Sequence, residues 1–327
     1  VNLLIGTAAS ADSVLDRVKR NGVVRCGIDQ TPGFSAVDAT GRSHGFDIDF
    51  CRAIAAAVLG SPDAIDPARV NTANKFKGLV DGDLDVAFGM TTWTMTRDTA
   101  LGVSFPGVMY YDGQSFMAWA DRGKADPVAI GGRRICVQGG TTSHANLTNH
   151  LRTRGIAATL VESASSEEKF RRFMARDCDV VTGDRAELAA RRAAMAGMRD
   201  QLVIAREVIS REPLGPVVGG DDRAWYDVVR WVMLATMVAE FKGVTAAKAA
   251  ERADSADREV RRLLGQDPDA GKGLGLDAQW AQRAIAAVGH YGEIFERNLG
   301  SSTPIGLERG PNALWVDGGL IYAPPFQ

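Results

Sequence analysis

No apolar run in the 327-residue chain approaches the ~20 residues that a membrane-spanning helix needs; even Trp231 to Phe241 is about two turns too short and is broken by Glu240. No excess of either charge is present. The 38 Lys+Arg against 40 Asp+Glu leave a net charge of -2, which provides no electrostatic footprint for nucleic acid or an anionic membrane. Histidines are few, at 44, 144, 150 and 290, and lack the spacing of metal ligands. The four cysteines form no CxxC or Cys/His pattern, so no metal site is expected. Nucleotide motifs fail as well. Gly265-Gln-Asp-Pro-Asp-Ala-Gly-Lys-Gly273 has five residues between its outer glycine and Gly271, and Gly273 stands where a P-loop places Ser or Thr. Gly271-Lys-Gly-Leu-Gly275 does not satisfy GxGxxG. No cofactor is expected.

What is present is the composition of an ordinary globular protein, 45% hydrophobic and 24% charged, in a chain about twice the common domain size. Two lobes are therefore expected. Val1 to Ala11 reads as the remnant of a secretory signal, with Ala9-Ser-Ala11 as a cleavage site, and implies export. In an exported chain the cysteines pair within lobes, Cys26 with Cys51 and Cys136 with Cys178; four buried reduced thiols are the alternative.

Two passages carry the chemistry. Leu84-Asp-Val-Ala-Phe-Gly-Met-Thr-Thr-Trp-Thr-Met-Thr-Arg97 and Cys136-Val-Gln-Gly-Gly-Thr-Thr-Ser143 each begin as a short apolar strand and end in glycines and hydroxyl residues. Such ends can turn backbone N–H groups toward an anion. Downstream lies Asp179-Val-Val-Thr-Gly-Asp184. A free amino acid needs what these provide: Arg97 to grip an α-carboxylate through its planar fork, and Asp184 to pair with an α-ammonium. The hydroxyls of Thr91 to Thr96 also suit the cap of a helix starting near Arg97.

The pattern along the chain alternates strand and helix in two rounds. Val23–Ile28 reads as a strand, Phe46–Leu59 as a helix stopped by Gly60, Lys75–Val80 as a short helix and Leu84–Gly89 as a buried strand. The second round runs through Arg134–Gln138, a helix near Asn146–Arg154, and strands near Thr159–Val161 and Val180–Thr182. Gln114–Ala118 and Val208–Val218 are the candidate crossing strands, with Pro213 and Pro216 marking an edge or hinge. Helices follow at Ala224–Phe241, Arg258–Leu264 and Ala278–Val288, in an end expected to pack on the first lobe.

The chain is similar to the general L-amino-acid-binding proteins of bacterial ABC uptake systems, a branch of solute-binding family 3. The resemblance rests on Gly45-Phe-Asp-Ile-Asp-Phe-Cys-Arg52, Thr91-Thr-Trp-Thr-Met-Thr-Arg-Asp98, Tyr110-Tyr-Asp-Gly-Gln114, Cys136-Val-Gln-Gly-Gly-Thr-Thr142 and Glu212-Pro-Leu-Gly-Pro216. Tyr291-Gly-Glu-Ile-Phe-Glu-Arg-Asn298, Asn312-Ala-Leu-Trp315 and Tyr322-Ala-Pro-Pro325 extend it to the tail. It implies an α/β fold of type II periplasmic-binding-protein architecture, each lobe a mainly parallel sheet flanked by helices, joined by two crossing strands. The expected division is 12–115 for the first part of lobe 1, 116–214 for lobe 2, and 215–327 for the return to lobe 1 with a helical extension.

By the same resemblance Arg97 salt-bridges the ligand carboxylate, and the N–H groups of Thr92 and Thr142 bond it from opposite lobes. Asp184 and the Met90 carbonyl hold the ammonium, while the Thr141-Thr142 turn completes the shell. Phe34 is an apolar wall, Lys75 and Gln138 line the side-chain end, and Trp93 is a wall or packing residue. Arg185, beside Asp184, departs from the pattern as a cation able to occupy that carboxylate. The implied function is a non-enzymatic, monomeric periplasmic receptor delivering a free L-amino acid to an inner-membrane ABC permease with a separate ATPase. A cyclohexadienyl-dehydratase-like enzyme on the same fold, or a receptor for a sensor protein, is the alternative.

Overall fold

The computed structural model describes residues 13–120, 126, 128–195 and 197–327. The expected signal remnant, Val1–Ala11, lies outside the described residues. Two sheets anchor two lobes. In the first, Val24–Ile28 is the central strand, parallel to Ile65–Arg69 on one side and to Val86–Ala87 on the other. In the second, Thr159–Ser163, Arg134–Gln138 and Val180–Asp184 run parallel, and Gln114–Trp119 then joins Val180–Asp184 antiparallel, with Leu202–Ile204 at the far edge.

Gln114–Trp119 is thus an interior strand of the second sheet, buried over most of its length. The crossing pair lies just before it: Tyr110–Asp112 pairs antiparallel with Glu212–Leu214, Asp112 facing Glu212. The expectation erred by a few residues because an apolar run of this length reads alike as a sheet strand or a connector. Pro213 sits within this two-stranded ribbon, where a missing N–H costs no interior ladder bond.

The helix over Phe46–Leu59 is buried on nearly every side and ends at Gly60, whose φ of 75° is left-handed. A glycine takes that conformation without a Cβ clash. The C-terminal region covers this helix: Arg283 donates to the Ala56 and Ala57 carbonyls at 3.1 and 2.8 Å, and Arg297 pairs with Asp49 at 2.7 Å. The Tyr291 hydroxyl donates to the Met109 carbonyl at 3.0 Å, which ties the extension to the approach of the crossing strands.

Both expected disulfides form, Cys26–Cys51 joining strand to helix in the first lobe and Cys136–Cys178 bracing the second sheet. They span 25 and 42 residues, so each should stabilise its lobe by about 3–4 kcal/mol in the chain-entropy account. Replacing Cys136 and Cys178 together by serine is expected to lower the unfolding free energy of the oxidised protein by about that amount, read as a lower urea midpoint at a given m. An unchanged midpoint would show that the bridge adds nothing to stability.

Candidate functional site

The C-terminal ends of the central strands of both sheets converge on one cleft. It has about 550 Å³ of non-atom space and is lined by Arg97, Met90, Thr91, Thr92 and Lys75 from one side and by Gln138, Thr141, Thr142, Lys169, Asp184 and Glu187 from the other. The walls touch: Thr92 Oγ1 lies 3.4 Å from Thr142 Oγ1, Arg191 donates to the Gln30 carbonyl at 2.9 Å, and exposed Arg69 and Glu167 pair at 3.0 Å. The lobes are closed on each other.

Local rules place the anion-binding groups. Thr94 caps the helix Met95–Ala100 by accepting the Arg97 N–H at 3.3 Å, and the Arg97 guanidinium is steadied by donating to the Thr92 carbonyl at 2.9 Å. Burial pulls the Arg97 pKa down against the fields of Glu212 and Asp184. On the opposite wall Thr141 caps the helix Thr142–Arg154, accepting the His144 N–H. The first-turn N–H groups and positive end of that helix meet the cleft. The expected helix start, near Asn146, was four residues late because Thr-Ser-His-Ala has no apolar periodicity.

Asp184 ends the Val180–Asp184 strand and is buried, with its Oδ1 taking no hydrogen bond among the described residues. Burial, joined by Asp112, Glu212 and Glu187, holds its carboxyl well above the usual range against the opposing field of Lys169. The neighbouring Arg185 is exposed and turns into a separate groove with Arg192 and Leu307, so it does not occupy the Asp184 carboxylate.

The loop beneath Arg97 is unusual in its backbone. Gly89 and Met90 are both left-handed, with φ of 73° and 46°. This turns the Gly89 carbonyl onto Lys75 Nζ at 2.8 Å, where Thr91 Oγ1 also accepts at 2.7 Å and the Phe88 carbonyl at 3.4 Å. Burial lowers the Lys75 pKa to about 8 despite Asp29. Asp47 accepts the Gly89 N–H at 3.0 Å, and burial, then Asp29, raise its pKa to about 8.

A carboxyl that is neutral when folded and ionised when unfolded stabilises fully only below its unfolded pKa, near 4. The folded state therefore loses Asp47's contribution as pH rises toward 8. Asp47→Asn is expected to melt near wild type at pH 4 and progressively above it by pH 8. Parallel pH curves of melting temperature for the two proteins would contradict this.

Of the residues expected at the site, Arg97, Asp184, Thr92, Met90, Thr142, Thr141, Gln138 and Lys75 line the cleft. Phe34 lies beneath it, packed edge-on against Phe46 and Tyr110 at 5.8 and 5.5 Å. Trp93 is not among the residues lining the cleft and stacks on Phe105 at 5.9 Å. Asp29, Thr72, Ser166, Lys169 and Glu187, none of them anticipated, also line the cleft. For Lys169 and Glu187 the only sequence signal is charge on the helices Ser166–Met174 and Arg185–Ala194, which ordinarily marks a solvated face.

A family model described as bacterial extracellular solute-binding proteins, family 3, matches residues 24–237. The chain belongs to this family. As a member it is similar along nearly its whole length to the glutamate/glutamine/aspartate/asparagine-binding protein BztA of Rhodobacter capsulatus, 45% identical over 99% of this chain and 96% of that protein. It is likewise similar to the general L-amino acid-binding periplasmic protein AapJ of Rhizobium johnstonii, 41% identical over the same shares. Among solved structures, a periplasmic binding protein of an ABC transporter from Brucella ovis with glutathione bound superposes with a TM-score of 0.94. It is 39% identical, and the match covers 97% of this chain and all of that one. The two-lobed fold of this solute-binding protein is that of its family, and no described helix is long and apolar enough to cross a membrane.

Proposed function

We propose that this solute-binding protein is a periplasmic, monomeric receptor that captures an L-amino acid between its lobes and delivers it to an inner-membrane ABC permease driven by a separate ATPase. No bond is made or broken. The names of the relatives at 45% and 41% identity, both amino-acid-binding proteins, support this reading. So does the charge layout of the cleft, and one observation carries it: a buried carboxylate oxygen of Asp184 without a partner, in the same cleft as the Arg97 fork and the first turn capped by Thr141. That arrangement complements a zwitterion whose ammonium and carboxylate are both attached to one carbon.

In this reading Arg97 and the Thr92 N–H take the α-carboxylate from lobe 1, and the Thr142 N–H takes it from lobe 2. Asp184 and the Met90 carbonyl take the α-ammonium. The bodies that close are 12–115 with 215–327 against 116–214, and the liganded, closed form presents the permease with a surface that the open form lacks. A scavenging receptor needs a dissociation constant of about 1 μM or below, near -8 kcal/mol.

The test is calorimetric titration of refolded, ligand-stripped protein with the twenty L-amino acids, with prephenate as a control. Saturable heat from several L-amino acids and no turnover of prephenate is the expected result. Silence from all twenty, or conversion of prephenate, overturns the receptor reading.

A further inference from the structure

Two buried lysines line the cleft, and their bonding differs. Lys75 directs its ammonium at the Gly89 carbonyl, Thr91 Oγ1 and, more distantly, the Phe88 carbonyl, so its three N–H groups have acceptors on the loop 88–91. Lys169, on the helix Ser166–Met174, has one hydrogen-bond acceptor, Glu187 Oε2 at 2.8 Å, and its side chain is 3% exposed. Its ammonium also lies 4.9 Å from the centre of the Phe170 ring, and among the described residues two of its N–H groups have no hydrogen-bond acceptor.

Glu187, on the first turn of the helix Arg185–Ala194, accepts from Lys169 and from Ser166 Oγ, which leaves acceptor positions unused. Burial pushes the Glu187 pKa up, but Lys169 and Arg191 outweigh it and the net effect is a lowering, so the pair is ionic. Arg191 holds the helices in place by donating to Ser166 Oγ at 3.3 Å as well as to Gln30 across the cleft.

The pair has its place because residue 183 is glycine. A Cβ there would lie 2.3 Å from Glu187 Oε2 and 2.9 Å from Lys169 Nζ, so the ion pair fills the space that a side chain preceding Asp184 would take. The other charged groups around it are Asp184 on the strand, Arg191 on the helix, and Asp29, Lys75 and Arg97 across the cleft. A buried ion pair adds little net stability compared with apolar packing. Its position in the wall of a binding cleft, with donors and acceptors both unused, is what it contributes.

Building on the amino-acid reading above, we infer that Lys169 and Glu187 form the specificity-determining pair of the cleft and read the ligand's side chain. Lys169 donates to an acid or amide oxygen, and Glu187 accepts from an amide N–H. One rigid pair thereby serves acidic and amide side chains alike, because it presents a donor and an acceptor side by side without any change of its own charge. Side chains with no polar end leave both unused. The Lys75 ammonium, which the sequence places at the side-chain end, instead supports the carboxylate-binding loop.

Calorimetry with glutamate, glutamine and alanine on wild type, Glu187→Gln and the double variant Lys169→Gln/Glu187→Gln tests this. The double variant removes both members of the ion pair together, so neither is left without the other, and a thermal melt checks that each variant is folded. The double variant is expected to lose glutamate by about thirtyfold or more, the worth of a hydrogen bond to a charged group, with glutamine weakened less and alanine within about threefold of wild type. Glu187→Gln alone should shift the glutamate-to-glutamine ratio by roughly tenfold toward glutamate, since a like charge is removed. An unchanged ratio in folded variants, or an equal loss of all three ligands, overturns the assignment while leaving the receptor reading intact. Failure of wild type to bind glutamate and glutamine while it binds other L-amino acids also overturns the assignment and leaves the receptor reading intact; silence from all twenty overturns the receptor reading itself.

Discussion

Arg97→Ala is expected to weaken binding of every L-amino acid alike, by roughly 100- to 5,000-fold. The magnitude follows from the ~3–5 kcal/mol lost when one partner of a buried ion pair is removed, and the uniformity from the α-carboxylate that all the ligands share. Arg97 is partly buried, aligned by the Thr92 carbonyl, and set over the Phe76 ring at 5.4 Å. Its fork is therefore organised before the ligand arrives, and little of its interaction energy goes into ordering the side chain. Lysine in its place should recover only part of the affinity, since a point charge cannot reproduce two parallel N–H bonds. Calorimetry across chemically different amino acids gives the decisive pattern. Loss confined to some side chains would mean that Arg97 touches the variable end of the ligand and not its carboxylate.

Asp184→Asn is the second large effect, expected to cost about thirtyfold to several thousandfold in affinity, from the ~2–5 kcal/mol of a buried charge pair broken on one side. Its signature is selective. Wild type should discriminate strongly between an amino acid and the same acid lacking the α-amino group, and the variant should not. The pH dependence adds an independent check. Without ligand, burial and then Asp112, Glu212 and Glu187 raise the Asp184 pKa, and only its ionised form pairs with an ammonium. Affinity should therefore strengthen as pH rises through that raised pKa and weaken as pH falls, with proton release on binding in between. Asp184→Asn should flatten this profile. Wild-type affinity independent of pH above the ordinary carboxylate range, or a variant that keeps the wild-type slope, would place the ammonium elsewhere.

Both expectations bear on a carboxylate cluster that sequence order disperses. Asp112 and Glu212 are a hundred positions apart in the chain yet directly opposite in the crossing ribbon. Burial raises the Asp112 pKa to about 7, with Glu212 adding to it and the N–H groups of Ala186 and Gly113 opposing. Glu212 in turn accepts from Thr92 Oγ1, Asn146 Nδ2 and Ser210 Oγ, each at 2.6 Å. It thus ties the carboxylate-binding loop of one lobe and the capped helix of the other to the hinge.

What was legible in the chain was legible for local reasons. The Phe46–Leu59 helix has its apolar spacing and its terminal glycine, and the even cysteine count in an exported chain pointed to the two bridges that form. Arg97, Thr92, Thr142 and Asp184 stood out because each sits at the end of a strand or start of a helix, where the chain must supply small, capping and anion-holding residues. Trp93 takes the packing alternative of its reading, stacked on Phe105, and Phe34 packs edge-on against Phe46 and Tyr110 next to Met90 and Thr91.

The alternation of strands and helices and the balance of charge follow from the chain alone, since these depend on local dihedral preference, hydrophobic period and side-chain chemistry. Only the tertiary structure decided which charges share the cleft. Lys169 and Glu187 lie on two separate helices and look like solvated charges until the sheet draws both over Gly183 and removes them from water. Lys75 looks like a ligand-facing cation until two left-handed residues aim backbone oxygens at it. Whether a charge is a surface ornament, a structural tie or a reader of ligand is set by the dielectric and the partners around it, and those are created by packing between segments far apart in the chain.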